Sequence, residues 1–200
     1  MEKVYQILGD SISKGGKTTA NLEEQIEYVL CNMRLVGLEP NKMQTAIAVA
    51  VAHMTGTPGL EGSKKNHMVV VPPSKGKTRI TMAIALLLLR KFTKAAKVVI
   101  VWPNEVLKNQ DAEAWARVKG LFSDLGAELR LDVGLQRVRE EDDKNALILV
   151  DEADKLFIDD MEEPPRKRKA CIGFTATIPS GKEGKVVQNR LEKLNVKIWN

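Results

Sequence analysis

Apolar residues along this chain change their spacing at His67. Upstream of it, Leu22, Ile26, Leu30 and Met33 recur at helical spacing between Asn21 and Gly37. After Glu39, Pro40 and Asn41, a second set (Met43, Ala46, Ile47, Val49, Ala50 and Val51) runs to about Met54. Such a period gathers apolar side chains on one helical face, so two helices are predicted, the first stopped by Gly37. Thr55 to Asn66, rich in Gly, Pro, Ser and Lys, reads as a loop.

From His67 onward, short apolar runs alternate with longer helical ones. Met68 to Val71 is a short continuous apolar run of the kind found in a strand covered on both faces. Ile80 to Phe92 reads as a buried helix, Val98 to Trp102 as a strand, Glu105 to Leu121 as a helix and Leu129 to Val133 as a strand. Ala146 to Val150, Ala170 to Phe174 and Val196 to Trp199 complete the strands. Alternation of this kind predicts an α/β fold with a mostly parallel sheet sandwiched by helices. The first part, residues 1–40, is expected to be a helical extension, and residues 41–200 the α/β domain.

Composition narrows the class. In 200 residues, 44% of them apolar, one domain can bury a full core. Cys31 and Cys171 have no metal-ligand or disulfide-framework spacing, which fits a reducing, cytoplasmic setting. No secretory signal is legible, and the longest apolar stretch, Met82 to Leu89, is too short to cross a bilayer. A net charge of +5 favours polyanionic partners only modestly, and aromatics at 4% leave little from which to build a stacking platform for single strands. The one dense basic run, Arg166 to Lys169, reads as a solvated loop, with a nuclear signal or nucleic-acid contact as the sharper alternative.

Chemistry concentrates at two places. Gly76, Lys77 and Thr78 follow one apolar strand and open a helix, the setting of a phosphate-binding loop. There, backbone N–H groups and a helix N-terminus hold phosphates, a Lys reaches the β and γ oxygens, and a Thr hydroxyl ligates Mg2+. Ser74 and Lys75 complete the loop, although Val71 stands where the first glycine of the usual pattern would fall. A second Gly-Lys-Thr, Gly16 to Thr18, has no suitable spacing and is expected to be a flexible turn. The other place is Ala146 to Val150, an apolar strand that ends in Asp151, Glu152, Ala153 and Asp154. Ligands of open α/β sheets bind at such C-terminal strand ends. Asp151 suits a water-mediated magnesium contact, and Glu152 suits the base that deprotonates an attacking water.

In order, these segments resemble the motifs of superfamily 2 helicases, DEAD-box proteins among them, with stretches similar to the preprotein translocase motor SecA. Ser74 to Thr78 corresponds to motif I, Pro103 to Leu107 to motif Ia, Asp151 to Asp154 to motif II and Thr175, Ala176 and Thr177 to motif III. SecA-like stretches are Val98 to Gly134, including Asn109, Gln110, Asp111, Ala112 and Glu113, and Val150 to Asp160. The resemblance implies a single RecA-like P-loop domain that binds ATP and Mg2+. It also implies that motif III couples the site to a second lobe and that Gln44 reads adenine, although a lone helix Gln is more often a surface residue. Motif Ib and the segments that would follow motif III are not legible. The expected partner is therefore a second RecA-like lobe, in cis or in trans, that supplies an arginine finger, with slow hydrolysis in its absence. RNA, DNA or, less readily, polypeptide would be the translocated substrate. The competing reading is a degenerate P-loop domain acting as scaffold or regulatory module.

Overall fold

A computed structural model of the chain describes residues 16–55, 66–91, 97–134, 146–154, 170–177, 184–186, 189, 192 and 196–199. Among them are α1 (Gly16–Leu35), α2 (Lys42–Thr55), β1 (Asn66–Val70), α3 (Lys77–Lys91), β2 (Lys97–Trp102), α4 (Glu105–Asp124), β3 (Glu128–Val133), β4 (Ala146–Val150), β5 (Ala170–Thr175) and β6 (Val196–Trp199), and residues 184–186, 189 and 192 are helical as well. The strands form one sheet in the order β3-β2-β4-β5-β1-β6, and every neighbouring pair is parallel. The expected α/β fold with a parallel sheet is the observed one.

Apart from Thr81, helix α3 is apolar on all sides from Ile80 to Leu89, and each of those residues is buried. A helix of that kind belongs at the centre of a core. It packs against α1, α2 and α4, and the common cluster continues into Val98, Ile100 and Trp102 of β2 and Leu147 and Leu149 of β4. The alternate residues Val99, Val101, Ile148 and Val150 join Met68 and Cys171 in a second cluster. Period-two alternation sends successive side chains to opposite faces, so the continuous apolar runs of β2 and β4 are explained by burial on both.

α1 is no separate layer: Val29 and Met33 are fully buried within the main cluster. Outside the core, Arg90 of α3 pairs with Glu24 of α1 and lies 4.7 Å from the centre of the Tyr28 ring. Gly16, Lys17 and Thr18 form the first turn of α1 rather than the flexible turn expected of them. Val4 to Leu8 and Arg166 to Lys169 lie outside the described residues.

α4 carries local stop and start signals. The Asn104 side chain accepts a hydrogen bond from the Leu107 N–H at 3.0 Å, capping the helix N-terminus. At the other end, Gly126 takes φ +74°, and the Ala127 N–H reaches back to the Phe122 carbonyl at 2.9 Å. A residue in the left-handed region is needed to turn the chain there, which selects glycine. The buried face between these ends is aromatic. Trp115 meets Trp102 edge-on at 6.5 Å between ring centres and stacks on Phe122 at 6.2 Å.

Candidate functional site

β1 ends at the loop, and the loop geometry departs from an all-glycine cradle. Val71 is buried, and its N–H donates to the Thr175 carbonyl at 2.8 Å, which extends the β1–β5 pairing by one residue. The position of the missing glycine is therefore occupied by a strand residue of the core. The chain turns afterwards: the Lys75 N–H bonds the Pro72 carbonyl, Ser74 adopts φ +60° and Gly76 φ +75°. Ser74 and Lys75 are exposed. A non-glycine residue held in the left-handed region carries about 1–3 kcal/mol of strain, which the surrounding structure must over-determine.

Part of that constraint comes from Gln44. Its main-chain N–H donates to the Asn41 side-chain oxygen at 2.9 Å, and its side-chain oxygen accepts from the Asn41 N–H at 2.9 Å. This reciprocal pair is a capping box at the start of α2. The remaining end of the amide, Nε2, donates to the Lys75 carbonyl at 2.8 Å. Gln44 is 5% exposed, so it is an interior residue that clasps the loop and not the surface residue expected of a lone helix Gln. Gly76 is required beside it, since a Cβ there would stand 2.2 Å from Gln44 Nε2.

α3 begins at Lys77, and the first intrahelical bond runs from the Ile80 N–H to the Gly76 carbonyl. The preceding N–H groups form the helix terminus, where an anion is favoured. Lys77 and Thr78 thus project from the first turn of a buried helix. On the other side, the Asp151 N–H donates to the Val101 carbonyl at 2.8 Å, fixing the first acid just beyond β4. Glu152 follows in the left-handed region at φ +47°.

These groups converge. Lys77 Nζ lies 2.9 Å from Asp151 Oδ1 and also pairs with Glu152 Oε1. All three side chains are about four-fifths buried. Burial works against the Lys77 charge, but the hydrogen bonds to Glu152 and Asp151 outweigh it and raise the pKa of the ammonium. The Asp151 carboxyl is also raised, because burial, with the Glu152 and Asp111 charges adding to it, exceeds the pull of Lys77. Thr78 Oγ1 donates to Asp111 Oδ2 of α4 at 3.1 Å.

At the end of β5, Thr175 is fully buried, and its hydroxyl oxygen lies 2.7 Å from Asp154 Oδ1 and 2.9 Å from the Thr177 carbonyl. A hydroxyl has one proton, so these two acceptors share it. Ala176 is half-buried and Thr177 exposed. Ser74 to Thr78, Asp151, Glu152 and Thr175 to Thr177 therefore follow the C-terminal ends of β1, β4 and β5, with Gln44 bonded to the loop. Three pairings were not foreseen: Asn41 with Gln44, Asp154 with Thr175, and Asp111 with Thr78. Only the first had a local signal, the spacing of Asn41 and Gln44.

No family model matches the chain, and no curated protein does. Among solved structures, the helicase domain of Hef from Pyrococcus furiosus is similar over 76% of this chain, with a TM-score of 0.51 and 21% identity. The likeness is one of fold, a RecA-like α/β domain with a parallel sheet. This chain spans 37% of the length of the Hef chain it matches. In the sheet, β1, which leads into the loop before Lys77, and β4, which is followed by Asp151, both flank β5, the strand that ends in Thr175.

Among the described residues, no three His, Cys, Asp or Glu side chains come together as a metal site, and no helix is long and apolar enough to cross a membrane. The donors at the rim are hard oxygens: the Thr78 hydroxyl and the Asp151 and Glu152 carboxylates. Such a set fits Mg2+, which is bound through one or two carboxylates plus substrate phosphates rather than by an all-protein cage.

Proposed function

We propose that this chain is the magnesium-ATP-binding half of a helicase-type motor, with Lys77 and the α3 N-terminus holding phosphates and Glu152 serving as the base. The observation that carries this reading is the convergence of Lys77 with Asp151 and Glu152 at the C-terminal rim of the sheet, the Asp151 contact measuring 2.9 Å. On phosphate binding, the Lys77 ammonium exchanges carboxylate partners for phosphate oxygens. That exchange releases Glu152 Oε1 to accept a proton from water. Thr78 and Asp151 would hold the cation, which supplies charge neutralisation at the phosphates.

A groove of about 840 Å³, lined by Ile26, Leu30, Pro40, Asn41, Thr45 and Arg79, lies between α1, the start of α2 and the first turn of α3; its volume is within the range of small-molecule sites, and it would take the base. Gln44 retains one amide hydrogen and one oxygen lone pair beyond its bonds to Asn41 and Lys75, which is the capacity needed to read an adenine edge. Hydrolysis is expected to be slow until a second RecA-like lobe supplies an arginine, a contribution worth ~10³ to 10⁵ in related enzymes. The translocated partner would be a nucleic acid, RNA or DNA, or less readily a polypeptide.

A thermal-shift series with magnesium-ATP tests the reading. At 100 times its dissociation constant, a ligand of the folded state alone stabilises by ~2.7 kcal/mol. The parent should shift, Lys77→Ala should not, and Glu152→Gln should shift while losing residual phosphate release. Hydrolysis by Glu152→Gln at the parental rate would refute its role as base. No shift in the parent sinks the motor reading and favours a scaffold module. Two features support that second reading: Lys77 is already paired with Asp151 and Glu152, and Val71 replaces the usual glycine.

A further inference from the structure

Two threonines in the first turns of α3 treat their hydroxyl protons differently. Thr81 Oγ1 donates to the Lys77 carbonyl one turn back, at 2.9 Å, the usual habit of a helical threonine. Thr78 has no helical carbonyl behind it, because the residue four positions earlier, Ser74, lies in the loop at φ +60°. Its proton crosses instead to Asp111 Oδ2 on α4, at 3.1 Å.

That direction has a chemical consequence. A hydroxyl carries one donor and two acceptor lone pairs, so fixing the proton fixes where the lone pairs point. With the proton committed to a carboxylate, the oxygen keeps both lone pairs for a cation. Carboxylates in this relation to metal-binding groups orient the ligand and raise its basicity, and their loss typically costs 10–100-fold in metal affinity. Asp111 is half-buried on a helix anchored through the Asn104 cap, and its charge acts on Asp151 as well.

We propose that Asp111 is a positioning residue that aims the Thr78 oxygen at the nucleotide-borne divalent cation and ties that cation to α4. The inference rests on the magnesium-ATP reading above. Its test is chosen so that the two can fail separately.

ATP affinity is measured by calorimetry with Mg2+ and with EDTA for the parent, Asp111→Ala, Asp111→Asn, Thr78→Val and the Thr78→Val/Asp111→Ala double variant. Asp111→Ala should cut the tightening that Mg2+ gives by about 10-fold or more, while affinity in EDTA stays within about two-fold of the parent. Asp111→Asn, which keeps an acceptor for the Thr78 proton, should recover part of the loss. In the Thr78→Val background, removing Asp111 should have no further effect, since a residue acting through another is not additive with it.

Equal weakening in Mg2+ and in EDTA would assign Asp111 a general structural role and overturn the proposal. An unchanged Mg2+ response in Asp111→Ala, an additive double variant, or parental binding indifferent to Mg2+ would overturn it too. If the parent binds no ATP under either condition, the nucleotide reading itself falls, and this inference with it. Melting temperatures in EDTA check that each variant folds, and Asp111→Asn carries the test if Asp111→Ala does not.

Discussion

At the scale of single residues, the loop is decided by contacts that local patterning does not record. Gly76 and Gly120 make the contrast. A Cβ at Gly76 would enter Gln44 Nε2 at 2.2 Å and impose a side chain at φ +75°, whereas Gly120 lies within α4 with nothing inside 4 Å of a Cβ. Gly76→Ala should therefore destabilise and displace the Gln44 clasp, with a cost of at least ~1 kcal/mol from the backbone alone. Gly120→Ala should stabilise by about 0.5–1 kcal/mol, as alanine does in a helix interior. Urea denaturation of both variants checks the opposite signs, and equal effects would show that the clasp does not constrain the loop. The same contrast explains what the sequence could reveal here. Lys77, Thr78, Asp151 and Glu152 were legible because strand ends announce them. Gln44 was not legible as an interior residue, because its Lys75 partner is 31 positions away, and Asp111 meets Thr78 from 33 positions away.

At the scale of elements, periodicity located the six strands and helices α1 to α4, missed the helical residues 184–186, 189 and 192, and misplaced the polar ends of the helices it found. α3 begins at Lys77, although its apolar pattern begins only at Ile80. Polar first-turn residues carry no hydrophobic period, so a reading by apolar spacing starts a helix late. α1 starts before Asn21 for the same reason. How α1 is held follows from burial rather than charge. Met33 is fully buried in the main cluster, while the Arg90–Glu24 pair is between two-fifths and three-fifths exposed. Met33→Ala should cost about 2–5 kcal/mol, and Arg90→Ala at most ~1 kcal/mol, beyond which its contact with Tyr28 would have to be counted. Melting of the two variants ranks the contributions. A larger loss from Arg90→Ala would mean that α1 is docked electrostatically.

At the scale of the whole molecule, the order of strands was the part least open to reading. Parallel pairing followed from alternation of strands and helices, but nothing local states that β5, late in the chain, inserts between β1 and β4. Sheet order is a property of long-range packing, and residues in one ladder are drawn from distant segments. The shared core predicts cooperative behaviour. Val29 and Met33 of α1 lie in one cluster with α3, Trp102 and Trp115. Helical circular dichroism and tryptophan fluorescence should then trace a single coincident urea transition. Separate midpoints would show α1 to be an independently melting unit.

The insertion of β5 also sets a dimension. With neighbouring strands ~4.8 Å apart, β1 and β4 are held ~9.6 Å from each other, and Lys77, which follows β1 by way of the loop, meets the acids that follow β4. Peptide hydrogen bonding determines this width, so it acts as a gauge that side-chain replacements in β5 leave untouched. Lesions in the interior of that strand should erode folding while the survivors keep the same aperture.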